Sequence, residues 1–455
     1  MEPVRRYFGI GENGVTFQRE IVGGITTFAT MSYIVFVQPT VLATTGRSFG
    51  SVLLATCISS ALTCFLMGML ARYPIALAPG MGENFLFAFA VVAGPPLGMG
   101  FSWQAALTIV LISGLIFVAL SVFKTREKIL EILPPCLTNS IGPAIGMFIG
   151  LVGLQWGGII VSAESTMLRV GSFHSGVALM TVLGLLLIAA LHVWRVPGGI
   201  LIGILATAGL GIYTGLIPSN AETPELDFST FFRFNLSELV IRWPDALVAI
   251  LLFLFLDIFD TVGTLVAVSN QAGFLKPDGT LPRAGRAFFS DAVGTCIGAC
   301  CGTSTVTSYI ESATGVAAGA RTGLAAIVTG VCFLFAIFLA PVIHIAGQDV
   351  GLAFYNLPAG ALHFAMYPVV APALIFVGFL MMAPLRKINW EDVTESLPAF
   401  LTIAMMVFGY GITEGISAGI ISYAAIKPIA GKWRQVHPIL YFIALAFLAR
   451  YAFLV

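Results

Sequence analysis

Charged side chains are scarce in this sequence of 455 residues. Lys and Arg number 22, and Asp and Glu also number 22, so 10% of the residues are charged and the formal net charge is zero. An ordinary soluble domain is about 25% charged. Because so few charges could not cover the surface of a soluble protein, the composition excludes cytosolic and secreted enzymes. It also argues against a nucleic-acid binder, which needs a basic face.

Cysteine and histidine are few and scattered. The seven cysteines form no C-x-x-C pair, and no cluster of the five histidines accompanies them. Most of the cysteines lie within apolar runs, where cysteine usually serves as a small buried residue. We therefore expect no disulfide framework, no metal site and no cofactor, and the sequence has no nucleophile cluster that would suit a membrane enzyme.

Long runs without a charged residue are abundant instead. Hydrophobic residues make up 58% of the chain. Asp, Glu, Lys and Arg are absent from 48–71, 85–123, 132–163, 196–221, 322–348 and 350–385. A membrane-spanning helix needs about 20 apolar residues. The sequence therefore predicts an all-α polytopic membrane protein with almost no soluble mass.

Hydropathy predicts fourteen spans. They lie near residues 21–46, 50–70, 85–94, 103–122, 139–156, 175–193, 198–217, 245–269, 286–301, 311–319, 322–346, 368–383, 396–409 and 411–427. The last two are two short spans or a re-entrant hairpin. A further apolar run fills 436–454, and its role stays open.

Positive charge indicates the orientation of these spans. With the N-terminus in the cytoplasm, Lys and Arg gather in connections that follow even-numbered spans, as the positive-inside rule requires. These residues are Arg72, Lys124, Arg126, Lys128, Arg195, Lys276, Arg283, Arg286, Arg386 and Lys387. The segment that holds Lys427, Lys432 and Arg434 also favours the cytoplasm, which leaves the side of the C-terminus open.

A polar stretch at 218–243 divides the chain into two halves, 1–217 and 244–455. It contains an amphipathic run, FSTFFRFNLSELVIRW, that is typical of a helix lying on the membrane surface. Seven spans on each side would place the second half upside down relative to the first. Many secondary transporters have this inverted-repeat layout, with the substrate at mid-membrane between broken helices.

The third span of each half contains a break. Residues 76–85 read ALAPGMGENF, and residues 301–312 read CGTSTVTSYIES. In each, an extended stretch leads into a short helical one. Because extended backbone at membrane depth is tolerated only where protein or a cavity satisfies it, we expect the two breaks to line a site.

Acidic residues gather near the same places. They are Asp257 and Asp260 in the eighth span, Asp291 in the ninth, Glu83 at the first break and Glu311 at the second. Ionisable residues inside a membrane are costly and usually functional. Asp257 and Asp260 are three residues apart and share one helix face. The alternative is that some of these acids are structural and pair with threonine hydroxyls or with Arg321.

Carboxylates suit two tasks in such a place. They accept hydrogen bonds from the N–H groups of a planar heterocycle, and they bind a proton or Na⁺. Burial favours the neutral form of a carboxyl group, which permits proton exchange near neutral pH. The amide of Asn84 can both donate and accept, as the edges of a purine require. The absence of Lys and Arg at the two breaks argues against an anionic substrate.

At these residues the sequence resembles the AzgA-like purine branch of the nucleobase–cation symporters, which is related to bacterial uracil permease. The resemblance runs over essentially the whole chain. The strings that carry it are EIVGGITTF at 20–28, APGMG at 78–82 with Asn84, FDTVGTL at 259–265, and SYIES at 308–312 followed by Gly315, Gly319 and 321–323.

The resemblance implies fourteen spans in two inverted repeats of seven, with short strands in the third and tenth. It implies a core domain of about 16–122 and 244–346, a gate domain of about 139–217 and 368–455, and a homodimer held through the gate domains. The transported purine nucleobase (hypoxanthine, guanine, adenine or xanthine) would lie between spans three and ten, with a proton as the coupling ion. The protein would lie in the plasma membrane, the inner membrane of a bacterium, in contact with lipid.

The family's substrate carboxylates fall on Asp260 and Glu311, and its span-three amide falls on Asn84. The predicted substrate site comprises Gly82, Glu83, Asn84, Phe85, Phe87, Asp260, Thr264, Ser308, Glu311 and Ser312, with Phe85 or Phe87 as a stacking ring. The predicted proton-coupling residues are Asp257, Asp260, Asp291 and Glu311. Many family members have an apolar residue where this chain has Glu83. This carboxylate would therefore alter substrate preference or ion coupling, or pair outside the site.

Two alternatives remain open, and a third, a channel, is disfavoured. One is a Na⁺-coupled nucleobase symporter, since carboxylate and hydroxyl oxygens also bind Na⁺. Another is an anion transporter of a related fold, in which we expect a positively charged anchor. A channel would need a continuous ring of pore-lining residues, whereas these acids are arranged asymmetrically.

Overall fold

The computed structural model describes residues 2–11, 15–95, 98–122, 134–163, 167–218, 223–274, 281–351 and 365–453. Within these ranges, seven helical stretches are long and apolar enough to cross a membrane. They are Phe17–Ala43, Phe49–Ala71, Trp103–Val122, Pro135–Trp156, Gly176–Val193, Trp243–Ala272 and Gly323–Ala346. The prediction of a polytopic helical membrane protein is confirmed, and the count of fourteen spans stays a prediction.

The helices of the first half run from the N-terminus to the polar stretch. They are α1 Glu2–Phe8, α2 Phe17–Met31, α3 Ile34–Ala43, α4 Phe49–Leu66, α5 Met81–Phe85, α6 Trp103–Val122, α7 Pro135–Trp156, α8 Gly176–Val193 and α9 Gly199–Tyr213. Two of them continue as π-helix: α4 through Met67–Ala71, and α5 through Leu86–Val92.

The helices of the second half follow a short helix in the polar stretch. They are α10 Leu236–Ile241, α11 Trp243–Ala272, α12 Ala284–Cys301, α13 Ser312–Ala317, α14 Gly323–Ala336, α15 Ala340–Ala346, α16 Ala371–Leu380, α17 Val393–Phe408, α18 Ile412–Ile429 and α19 Pro438–Phe453. Short 3₁₀ turns lie at Ile337–Leu339, Ala383–Lys387 and Trp433–Gln435.

Two antiparallel pairs of short strands interrupt the helices. The first pair joins the two halves of the chain, because β1 (Leu77–Pro79) pairs with β4 (Val306–Ser308). The two predicted breaks therefore contain the short strands that the resemblance implied. The second pair is a local hairpin of β2 (Ile160–Ala163) and β3 (Met167–Val170), which the sequence analysis did not predict.

Helix packing falls into two groups. Helices α2, α4, α6, α12 and α14 pack on one another and around the strands of the first pair, and α7 packs with α16, α17 and α18. In the first group, Gly68 of π-helical Met67–Ala71 lies so close to Gly323 that a Cβ on Gly323 would be 2.0 Å from the Gly68 carbonyl oxygen. Only glycine permits that approach.

The first predicted span is not one continuous helix, because α2 ends at Met31 and α3 begins at Ile34. Proline 39 lies inside α3, and a proline ring clashes with the carbonyl one turn earlier and removes a donor. The break places Tyr33 between the helices, where its side chain turns into the protein interior and is 2% exposed.

The surface helix predicted for the polar stretch is only partly formed. Within that run only α10 and the first residue of α11, Trp243, are helical, and Asn235 caps α10 by accepting from the backbone N–H of Glu238. The preceding residues instead bond to the end of α12. The backbone N–H of Phe232 donates to the Cys300 carbonyl oxygen at 2.8 Å, and the Thr230 hydroxyl donates to that of Cys301 at 3.1 Å.

The C-terminal apolar run is a helix of its own. Helix α19 packs against α18, and α18 packs against α17 across a break at Gly409 to Gly411. At 1.5 Å per residue, the 16 residues of α17 extend about 24 Å, less than the roughly 30 Å of a bilayer's hydrocarbon core. Two short spans and a re-entrant hairpin both agree with these helices, so the two arrangements that the sequence allowed stay predictions.

Candidate functional site

The two broken spans meet at the strand pair β1–β4. The Gly80 N–H donates to the Thr305 carbonyl oxygen at 3.0 Å, and the Tyr309 N–H donates to that of Ala76 at 2.9 Å, so the pairing extends past both strands. Helix α5 starts just after β1, and Glu311 occupies the N-cap position of α13 just after β4. The crossing thus brings residues about 230 positions apart in sequence into one place.

Glu311 lies half-buried at this crossing. Its Oε1 accepts a hydrogen bond of 2.8 Å from the hydroxyl of Tyr33, at the break between α2 and α3. The neighbouring Tyr309 is held in turn, because its hydroxyl donates to the Pro79 carbonyl oxygen at 2.5 Å. One oxygen of Glu311 is therefore oriented by the protein.

Asp260 faces open space from the middle of α11. Its side chain is exposed although the residue lies deep in the protein, and it makes no hydrogen bond to another described residue. Gly263, one helical turn further on, is also exposed, with no atom within 4 Å of the position of a Cβ. Asp260 interacts electrostatically with Glu311. The two carboxylates predicted to bind the substrate are thus close neighbours beside an opening.

Asp257 and Asp291 form a separate, fully buried network. Asp257 accepts from the Thr295 hydroxyl at 2.6 Å. Asp291 accepts from the hydroxyls of Thr261 at 2.5 Å and Ser308 at 2.6 Å. These bonds join α11, α12 and β4. Although Asp257 and Asp260 were predicted to share one helix face, only Asp260 reaches the opening.

The first turn of α5 is completely enclosed. Glu83 is 1% exposed and folds back over Gly80, where a Cβ would lie 2.1 Å from its Oε2. Its Oε1 has no hydrogen-bond partner among the described residues. Asn84 is 0% exposed; its Oδ1 accepts from the Ser304 hydroxyl, and its Nδ2 is without a partner in the same ranges.

The candidate stacking rings lie in different environments. Phe85 packs on Phe89 with ring centroids 5.5 Å apart and edge-on against Phe148 of α7 at 6.3 Å. Phe87 lies under the guanidinium of Arg47, 4.7 Å from its ring centroid. A guanidinium therefore already covers one face of the Phe87 ring.

The remaining predicted residues are buried with their hydroxyls near the crossing. Ser308 donates to Asp291, and the Ser312 hydroxyl oxygen accepts from the Ala76 N–H at 3.0 Å. Gly82 lies under α7, where the position of its Cβ is 3.4 Å from atoms of Ile145. Thr264 is 5% exposed on α11. The structure thus brings Gly82, Ser308 and Ser312 to the two breaks, whereas no contact ties Thr264 to them among the described residues.

Arg47 is a buried cation that the sequence analysis did not single out. It lies in the connection between α3 and α4, and its Nη1 donates to the Gly302 carbonyl oxygen at 2.6 Å. Burial lowers the pKa of its guanidinium to about 9. The charge is placed at the C-terminal end of α12, where a cation complements the helix dipole. The Nη1 and Nε of Arg47 are thus hydrogen-bonded, whereas its buried Nη2 has no hydrogen-bond partner among the described residues.

Tyr33 and Gln38 were likewise not among the site residues predicted from the sequence. Tyr33 is the one tyrosine and Gln38 the one amide of the span at 21–46, whose other polar side chains are threonine and serine hydroxyls, and that is the signal that could have found them. Both bond to the second break: Tyr33 to Glu311, and Gln38 to Thr303 and Ser304. In the described part of the chain, no three of the His, Cys, Asp and Glu side chains are placed to hold a metal ion.

Similarity to known proteins extends over the whole chain. The sequence model of the Permease family matches residues 18–355. The guanine/hypoxanthine permease PbuG of Bacillus subtilis is 45% identical over 99% of this chain and 100% of its own. The adenine permease AdeP of Escherichia coli is 36% identical over 99% of this chain and 96% of its own.

Two solved structures share the fold. The transmembrane domain of the cyanobacterium bicarbonate transporter BicA matches with a TM-score of 0.59 at 14% identity, over 87% of this chain and 97% of that one. SLC26A9 matches with a TM-score of 0.60 at 10% identity, over 94% of this chain and 69% of that one. At such low identities the likeness concerns the architecture alone.

Proposed function

The chain belongs to the Permease family, and we propose that it imports purine nucleobases into a bacterial cell by proton symport. Hypoxanthine, guanine, adenine and xanthine are the candidate substrates. The similar permeases carry names that specify guanine, hypoxanthine or adenine. In this proposal the protein lies in the inner membrane with its N-terminus in the cytoplasm, and two copies associate through their gate domains.

One observation carries the proposal: Asp260 and Glu311 lie beside an opening at the crossing of two broken spans. A carboxylate only accepts hydrogen bonds when it is ionised. A neutral purine offers ring N–H donors in one plane, so two acceptors in a confined site suit it. Among the described residues, no lysine or arginine bonds to either carboxylate, as recognition of an anion would require.

Transport needs the site to open to each side of the membrane in turn. We assign the moving parts to a core domain (16–122 and 244–346) and a gate domain (139–217 and 368–455), related as inverted repeats of seven spans. The two packing groups of helices support this division. In the present conformation α7 covers α5, and Asn84 is fully buried. Contact between a purine and Asn84 therefore requires the elements that enclose Asn84 to move apart.

Coupling is assigned to Asp260. Its side chain is exposed in this conformation, and closure around a substrate would remove it from water. A carboxylate taken out of water favours binding of a proton. Proton and purine would then bind together and be released together. The alternative ion is Na⁺, which the Asp260 carboxylate and nearby backbone carbonyls could also hold.

Uptake into proteoliposomes tests this proposal. The purified protein is reconstituted, and radiolabelled hypoxanthine is supplied under an imposed pH gradient, acidic outside, with Na⁺ absent. Accumulation above equilibrium is expected, and it should vanish when an ionophore collapses the gradient. A parallel sample receives a Na⁺ gradient at constant pH. Accumulation driven by Na⁺ alone would refute proton coupling. Absence of uptake in both samples, for hypoxanthine and then for guanine, adenine and xanthine supplied in the same way, would refute purine transport.

A further inference from the structure

The strand pair at the crossing leaves one edge of β1 without a neighbouring strand. The backbone groups of Gly80 and Ala76 bond to the β4 side of the pair. In an antiparallel pair, alternate residues turn their backbone groups toward the partner strand and away from it. Leu77 and Pro79 therefore turn theirs away from β4. Because lipid offers no hydrogen bonds at membrane depth, these groups need partners within the protein.

Side chains provide partners along the whole of this free edge. The Leu77 N–H donates to the Sγ of Cys64 at 3.2 Å, and the Cys64 thiol donates to the Leu77 carbonyl oxygen at 3.3 Å. Pro79 has no N–H, and its carbonyl oxygen accepts from the hydroxyl of Tyr309 at 2.5 Å. The directions of these bonds are fixed, because a backbone N–H only donates and a carbonyl only accepts. Cys64, Leu77 and Tyr309 are all buried.

The free edge leads directly into the candidate site. Helix α5 begins at Met81, two residues after Pro79, and its first turn contains Asn84. Cys64 lies in α4, and Tyr309 directly follows β4, so both belong to the proposed core domain. Movement of the gate domain would leave their bonds to β1 in place. These bonds would therefore fix where α5 starts while the site opens and closes.

We propose that Cys64 and Tyr309 are positioning residues, which complete the free edge of β1 and so hold Asn84 where it contacts the purine. This inference rests on the proposed purine transport and adds two residues to its site. The two side chains act through β1 rather than by touching the substrate. Without them, buried backbone groups of β1 would lack partners, which is costly. The strand would then shift toward other partners, and the first turn of α5 would shift with it.

Equilibrium binding of radiolabelled hypoxanthine to purified protein in lipid nanodiscs tests the inference. Cys64→Ala removes the thiol that bonds to Leu77, and Tyr309→Phe removes the hydroxyl that bonds to Pro79. Each change should weaken binding about two- to tenfold, the range of one neutral hydrogen bond. Cys64→Ser keeps a donor and an acceptor, so it should bind more tightly than Cys64→Ala.

The matched control is Cys57→Ala. Cys57 is equally buried on the same helix, and its thiol makes no hydrogen bond to another described residue. Loss of this sulfur atom should leave the dissociation constant unchanged. The melting temperature of every variant is measured as well, because a merely structural role would lower it without changing the affinity of the folded protein.

A double-mutant cycle with Asn84→Ala shows whether the effect passes through Asn84. If it does, Cys64→Ala should cost less affinity in the Asn84→Ala background than in the unchanged protein, because residues that act together are not additive. Equal losses in the two backgrounds would overturn the inference. An unchanged affinity in either Cys64→Ala or Tyr309→Phe would overturn it too.

Failure of this inference differs from failure of the proposed function. Hypoxanthine binding that no change at the strand edge weakens refutes the positioning role and leaves purine transport standing. Absence of binding of hypoxanthine, guanine, adenine and xanthine to the unchanged protein refutes both. If Cys64→Ala does not fold, Tyr309→Phe takes its place in the cycle. If Asn84→Ala binds too weakly to measure, failure of Cys64→Ser to bind more tightly than Cys64→Ala overturns the inference.

Discussion

Replacement of Glu311 by glutamine tests the centre of the candidate site. The change keeps the shape of the side chain and removes its charge. In the structure the Glu311 Oε1 is bonded to the Tyr33 hydroxyl at 2.8 Å, so the other oxygen is the one available to a purine. A tyrosine hydroxyl also accepts hydrogen bonds. The glutamine amide can therefore turn its nitrogen to Tyr33 and still offer oxygen to the substrate.

The expected loss of binding free energy therefore comes from removal of the negative charge, because the hydrogen-bond acceptor is kept. A hydrogen bond to a charged group contributes about 1.5–3 kcal/mol. At about 1.4 kcal/mol per factor of ten, Glu311→Gln should weaken purine binding roughly ten- to a hundredfold. Tyr33→Phe removes one neutral hydrogen bond, about 0.5–1.5 kcal/mol, and should weaken binding by about tenfold or less. The double variant measures how strongly the two side chains act together.

Equilibrium binding of radiolabelled hypoxanthine to purified protein in lipid nanodiscs provides the assay. Glu391→Gln is the matched control, since it makes the same chemical change at an exposed position. It should leave the dissociation constant unchanged. If Glu311→Gln protein, shown to be folded by its elution profile and melting temperature, binds hypoxanthine as tightly as the unchanged protein, Glu311 does not hold the substrate.

Three further changes test coupling, linkage and packing. Asp260→Asn should abolish accumulation driven by a pH gradient while exchange of purine across the membrane persists. Full accumulation by this variant would show that Asp260 does not couple purine transport to the proton. Because linkage is reciprocal, hypoxanthine affinity of the unchanged protein should rise as pH falls, and a pH-independent affinity would contradict coupled binding. Gly323→Ala should lower stability by about 1–3 kcal/mol, since its Cβ would meet the Gly68 carbonyl oxygen at 2.0 Å. Gly209→Ala, with open space at the Cβ, should melt like the unchanged protein, and equal melting of both variants would contradict the close helix approach.

The spans and their breaks could be predicted because each depends on the residue types within one short stretch of sequence. Runs without charge fix where helices cross, and the residues Ala78, Pro79 and Gly80 mark where one of them must open. The extended stretch at each break was predicted from the residues, the short strands were implied by the family resemblance, and the pairing of β1 with β4 is a finding of the structure. The proposed inverted repeat rests on the same regularity.

The different environments of the acidic residues could not be predicted in this way. Asp257 and Asp260 lie one helical turn apart in similar sequence, and only the tertiary structure places Thr295 against the first and an opening beside the second. For the same reason the sequence could not choose between Phe85 and Phe87 as the stacking ring. What separates these two rings is the position of Arg47, which comes from a distant connection.

In the polar stretch at 218–243, an amphipathic pattern did not suffice to predict where a helix forms. The run at 228–243 is amphipathic, as a surface helix would be, but within 228–242 only Leu236–Ile241 is helical. Residues Thr230 and Phe232 bond instead to the carbonyls at the end of α12. Those carbonyls lack partners within their own helix. No periodicity in the sequence of the polar stretch indicates that these carbonyls lie next to it.

The charge balance of the site limits what it can carry. The acids Glu83, Asp257, Asp260, Asp291 and Glu311 interact electrostatically with one another, and no lysine or arginine bonds to any of them in the described part of the chain. Like charges in an interior of low dielectric repel strongly. A bound anion would add to that repulsion, whereas a bound cation relieves it and a neutral heterocycle adds hydrogen-bond donors without charge. A proton that enters with a neutral purine relieves the repulsion, and the purine supplies the hydrogen-bond donors. The acids that recognise the substrate would therefore also require the coupling ion.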